Sequence, residues 1–106
     1  MKLTPPLAAQ VNAHYDSAVA SVGASDDAAP CGIMLELARL VAASPAYSLS
    51  SDVILLLNGA EETLMQAAHA FLDQHPWYQD VGAVINVGGC REGGVSVVGG
   101  GRIGWW

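Results

Sequence analysis

An α/β domain built on a mostly parallel sheet is predicted, and three observations carry that prediction. Val53-Ile54-Leu55-Leu56-Leu57 is apolar for five consecutive residues, as a strand covered on both faces would be. Two stretches with helical spacing of apolar residues flank it. Further strand-like runs precede and follow them, and the alternation strand–helix–strand–helix–strand implies right-handed crossovers between parallel strands. The 106 residues suffice for one domain with one core.

Each element has its own justification. Val11–His14 is a short strand end. From Pro30 to Ala43, Ile33, Met34, Leu37, Leu40 and Val41 form one apolar stripe, with Glu36 and Arg39 off it. Pro30 suits the first turn of that helix, and Ser44-Pro45 ends it. Asp52–Asn58 is the apolar strand, expected at the centre of the sheet. A second helix runs from Glu62 or Thr63 to about Gln74, with Leu64, Ala67, Ala68, Phe71 and Leu72 inward, and His75-Pro76 stops it. Val81–Val87 is a third buried strand. Eight of the twelve glycines fall after Val87, so residues 1–87 read as the domain proper. Residues 88–106 read as a glycine-rich, aberrant tail.

Composition excludes several functions. The formal charge is −6 with only four Lys and Arg, so no basic cluster exists to neutralise the phosphates of a nucleic acid. No run reaches the roughly 18 apolar residues of a membrane span, and Met1–Pro6 lacks the apolar core of a signal peptide. The chain reads as soluble, with no compartment encoded in it. Cys31 and Cys90 form no C-x-x-C pair, and Cys31 is expected as a buried free thiol. There is no H-E-x-x-H and no P-loop. Gly99–Gly104 formally matches G-x-G-x-x-G, but too few residues follow for the helix that such a site needs. His69 and His75 are expected to be structural or exposed, and Ser17 has no evident base.

What remains is a set of groups with a common address. In open α/β sheets, ligands bind outside the carboxyl ends of the strands. His14 ends the first strand, Asp26-Asp27 lies in the loop that follows, and Glu61-Glu62 follows the second strand. Carboxylates gathered in one place call for a cation, so their convergence would imply one divalent metal, or two. His14 offers an imidazole nitrogen, and Asp16 can orient it; alternatively the two form a surface pair. Asp26 can bridge two cations, or it can simply favour a helix dipole. Of Glu61 and Glu62, one can ligate metal while the other takes a proton from a water whose pKa the metal has lowered. Their plain alternative is two acids in the first turn of a helix.

The strings Ala13-His14-Tyr15-Asp16-Ser17, Gly23-Ala24-Ser25-Asp26-Asp27 and Asn58-Gly59-Ala60-Glu61-Glu62 resemble the co-catalytic zinc aminopeptidase family, metallopeptidase family twenty-eight. Gln66–Trp77 is most similar to its endoplasmic-reticulum and vacuolar membrane branch. The resemblance covers about Val11–Val87 and implies that the fold is a partial αβα sandwich, part of a larger domain. It implies that His14 ligates one of two zinc ions and Glu62 the other. Asp26 would bridge both, with Asp27 following in a strained peptide linkage. Glu61 would be the general base, and Asp16 would support the ligands. The implied reaction is hydrolysis of a peptide substrate at its N-terminus by a metal-activated water. The implied location is the endoplasmic-reticulum or vacuolar membrane, where full-length members are anchored, although this chain itself offers no membrane contact. Where the family carries a further acidic ligand after its Ile-Asn-hydrophobic strand, Ile85-Asn86-Val87 is followed by Gly88. Glu92 lies at the wrong offset to replace it. The expectation is a truncated or mis-spliced fragment, inactive alone in its family's reaction, with a non-catalytic metal-binding or interaction module as the alternative.

Overall fold

A computed structural model describes residues 7–43, 49–89 and 94–98, the last of these as backbone. Ser44-Pro45, Cys90, Glu92 and the Gly99–Gly104 motif lie outside the described residues. In chain order the elements are β1 (Ala8–His14), a wide turn (Ala24–Ala28), α1 (Ala29–Ala43), β2 (Val53–Asn58), a four-residue α2 (Glu61–Leu64) and α3 (Gln66–Gln74). A 3-10 turn (Pro76–Asp80), β3 (Val81–Gly88) and β4 (Gly94–Val98) follow.

The sheet order is β2-β1-β3-β4. β1 pairs in parallel with both β2 and β3, and β4 adds antiparallel to β3. The chain moves from β1 to one neighbour and then crosses back over it to the other. Crossovers of one hand that run in opposite directions place their helices on opposite faces. Accordingly Met34 of α1 packs with Val11 and Ala13 on one face, and Phe71 of α3 packs with Ala8 and Ile54 on the other. Met34 is 1% exposed, and burying such a side chain contributes about 1.5–3 kcal/mol.

Three expectations are corrected. β2 is an edge strand among the described elements, not a central one, and its Val53 and Leu57 are exposed. Its apolar run is continuous, but β1 occupies the middle. Ile33 and Leu40 of α1 are exposed, because the apolar stripe is wider than the seam against β1. The second helix is broken at Met65, whose φ of 56° interrupts the right-handed path. Leu64 therefore belongs to a separate turn and is exposed, while Ala68 and Phe71 are buried as expected. His75 is structural, as expected: its Nδ1 accepts the Trp77 backbone N–H at 3.2 Å, and its ring stacks on Phe71.

β1 holds a surprise for a middle strand. Its α3-side face carries Gln10, Asn12 and His14, all buried. Buried amides need partners, and Asn12 finds two. Its Nδ2 donates to Asn86 Oδ1 on β3 at 2.6 Å, and its Oδ1 accepts from Asn58 Nδ2 on β2. An amide ladder thus spans the three parallel strands just below their carboxyl ends.

Candidate metal centre

Because β1, β2 and β3 run parallel, their carboxyl ends open on one edge of the sheet. His14 is the last residue of β1 and stands beside Asn58, the last of β2. Two residues after Asn58 the chain enters α2, so Glu61 and Glu62 open that turn. Asp26 and Asp27 come from the wide turn before α1, where Gly23 takes a φ of 64°, a conformation open to glycine. The peptide between Asp26 and Asp27 is cis.

His14 is the hub. Its Nε2 lies 3.1 Å from Asp26 Oδ1, 3.8 Å from Asp27 Oδ2 and 3.7 Å from Glu61 Oε2. One ligand atom each from His14, Glu61 and Glu62 fall within 4.8 Å of one another, and so do those of His14, Asp26 and Asp27. Two donors on a tetrahedral zinc, each about 2.0–2.1 Å from it, stand roughly 3.3 Å apart. The spacings around Nε2 bracket that value, and an imidazole among carboxylates is a donor set that suits zinc. The residues present therefore fit a divalent transition metal.

The electrostatics follow from the crowding. Burial opposes protonation of His14. The Asp16 carbonyl, 3.0 Å from Nδ1, and the carboxylates of Asp27, Glu61 and Asp26 outweigh it, so the imidazole pKa lies above its usual value. For Glu61, burial raises the pKa first; Glu62, Asp26 and Asp16 add to this against the opposing pull of His14. A carboxylate of raised basicity is better suited to accept a proton.

Asp16 does more than the sequence indicated. Its Oδ1 accepts the Glu61 N–H and its Oδ2 the Glu62 N–H, both at 3.2 Å. It also lies 3.4 Å from His14 Nδ1. One carboxylate thus ties the end of β1 to the start of α2. Two further groups were not identified as site residues. Asp27 is 1% exposed, and its carboxyl oxygens receive the backbone N–H of His14 at 3.0 Å and of Gly89 at 2.8 Å. The Asp-Asp pair hinted at two carboxylates, but nothing in it said which one is buried. Gly89 lay in a stretch read as filler, and no local pattern marked it. Cys31 is half-buried. Its thiol donates to the His14 carbonyl at 3.1 Å, and burial followed by Asp27 raises its pKa.

Comparison with known proteins gives the chain its relatives. The chain is 48% identical over 87 residues to endoplasmic reticulum metallopeptidase 1 of Rattus norvegicus, covering 82% of this chain and 10% of that protein. It is 44% identical over 102 residues to the Homo sapiens protein of the same name, covering 92% and 11%. A vacuolar membrane protease of Candida albicans is 35% identical over 88 residues, covering 83% and 10%. The chain thus spans about a tenth of the length of these relatives. No solved structure matches it. The profile described as Peptidase family M28 matches residues 4–98, and on that match the chain belongs to Peptidase family M28.

Proposed function

We propose that this chain carries the metal-holding part of a zinc-dependent peptidase of the exopeptidase type. The observation that carries the reading is the convergence of three carboxylates from two separate segments on His14 Nε2, at 3.1–3.8 Å. In this reading His14, Asp26 and Glu62 are the residues that would hold the zinc. When bound, the metal would supply an acidified water and polarise the scissile carbonyl. Glu61, whose carboxylate lies 3.7 Å from His14 Nε2, would serve as the general base. Asp16 orients His14 from Nδ1 and fixes the Glu61-Glu62 turn through their N–H groups. The substrate is a peptide. The names of the relatives support a location at the endoplasmic-reticulum or vacuolar membrane; no described helix is long and apolar enough to cross a membrane.

A domain boundary near Gly88 is part of this proposal. The composition changes there, and sheet pairing turns from parallel to antiparallel just beyond it. A second reading, a metal-binding module without turnover, is favoured by one observation. At the end of β3 the site meets the Gly89 backbone N–H, not a further carboxylate. Zinc titration of the chain and of Glu61→Gln, with release of N-terminal residues from peptides as the activity readout, separates the two. The peptidase reading expects Glu61→Gln to keep zinc and lose turnover. A parent that binds zinc and cleaves nothing supports the module, and a parent that binds no zinc refutes both.

A further inference from the structure

The Gly89 backbone presses against the turn that carries Asp26. A Cβ built on Gly89 would stand 2.1 Å from the Ser25 carbonyl oxygen and 2.6 Å from Asp26 Cα. Those atoms are backbone, so no side-chain rotation relieves the clash. At the same place the Gly89 N–H donates to Asp27 Oδ1 at 2.8 Å, while Asp27 Oδ2 accepts the His14 N–H at 3.0 Å. Asp27 is buried at 1% exposure, so neither bond has bulk water as a substitute. Three segments therefore lock together through one carboxylate: the end of β1, the wide turn, and the end of β3. The lock sits directly behind the Asp26 carboxylate, 3.1 Å from His14 Nε2.

We propose that Gly89 is a positioning residue of the metal centre: its bare Cα and its N–H seat the Asp26-Asp27 turn and, through Asp27, hold Asp26 and His14 face to face. Asp27 is then an anchor whose oxygens serve backbone amides, and Asp26 is the carboxylate turned toward the metal. The inference rests on the zinc reading above for its metal-binding consequence, but the seat itself exists in the metal-free chain. Groups that orient ligands from behind are worth about 10–100-fold in metal affinity.

The test compares the full chain with Gly89→Ala, Asp27→Asn and, as control, Gly32→Ala, an α1 position whose added Cβ meets nothing within 4 Å. Zinc affinity is read by competition with a chromogenic chelator. Hydrogen exchange of the His14 amide is read separately in the zinc-free chain. Gly89→Ala is expected to weaken zinc 10–100-fold and to speed His14 exchange about tenfold or more, with the Val11 amide unchanged. Asp27→Asn can accept only one of the two amide bonds, and it should also speed His14 exchange. Gly32→Ala should change neither reading. Unchanged His14 protection in Gly89→Ala overturns the proposal, as does zinc affinity within about twofold of the parent. A parent that binds no zinc sinks the metal reading alone, and the exchange measurement then decides the seat. If Gly89→Ala loses its circular-dichroism signal, Asp27→Asn decides: normal His14 exchange in that variant refutes the lock.

Discussion

Removing the Asn12 side chain should cost far more than removing that of its partner Asn86, and the reason lies in where each sits. Asn12 is 6% exposed and Asn58 is 3% exposed, whereas Asn86 is open to solvent. Asn12→Ala breaks two hydrogen bonds, each worth about 1 kcal/mol net. It also strands the Asn58 amide, whose Oδ1 is already buried without a partner among the described residues. An unsatisfied buried group adds about 1–3 kcal/mol, so the expected loss is about 3–5 kcal/mol. Asn86→Ala breaks one bond and leaves Asn12 Nδ2 close to an exposed position that water can reach, for a loss of about 1 kcal/mol. Domains of this size hold about 5–15 kcal/mol in all, so the first variant is expected to lie near the edge of folding. Urea unfolding followed by circular dichroism reads both. With a slope of about 1–3 kcal/mol per molar, the midpoint should fall by about 1–5 M for Asn12→Ala and by about 1 M or less for Asn86→Ala. Equal losses in the two variants, or a loss below about 1 kcal/mol in Asn12→Ala, would refute the ladder as a structural tie.

Other expectations can be checked on the same chain. Met34→Ala should destabilise it by about 2–5 kcal/mol in the same urea assay, because it opens a cavity against Val11 and Ala13. Partial burial pushes Asp16 up, but hydrogen bonds from the Glu61, Glu62 and Asp16 N–H groups, with His14 nearby, outweigh it and lower its pKa. A depressed carboxylate stabilises above its unfolded value of about 4 and loses that contribution as pH falls through the lower folded value. Amide exchange at Glu61 and Glu62, corrected for intrinsic rates, should therefore quicken only below about pH 4, and Asp16→Asn should remove the acid dependence. Zinc at a hundredfold excess over its dissociation constant should add about 2.7 kcal/mol, which raises Tm by roughly 10 °C or more. A chelator should reverse that shift in a thermal scan.

The elements were legible because their periods were clean. The helical stripe through Met34 and Leu37 and the apolar run at 53–57 each announced a backbone geometry. Sheet order was not legible, since it depends on which way each crossover turns. A continuous apolar run therefore suggested a central strand where the sheet has an edge. β1 misled in the opposite sense: Asn12 and His14 look unsuited to a middle strand until the amide ladder and the acidic groups around the imidazole supply their neighbours. At the site, the sequence marked the groups with chemistry (His14, Asp26, Glu61 and Glu62), and the structure gathers the three acids around His14. It could not mark the parts that act through backbone. The N–H groups that Asp16 and Asp27 receive depend on how loops approach in space, and Gly89 offers no side chain to notice.

The left-handed residue between the two short helices gives them separate mechanical allegiances. Beyond Met65, α3 is anchored by Ala68 and Phe71 in the hydrophobic layer. Before it, the turn bearing Glu61 and Glu62 answers to Asp16, two residues beyond the end of β1. The aim of these two acids can thus be retuned by changes near Asp16 without unseating the helix that follows.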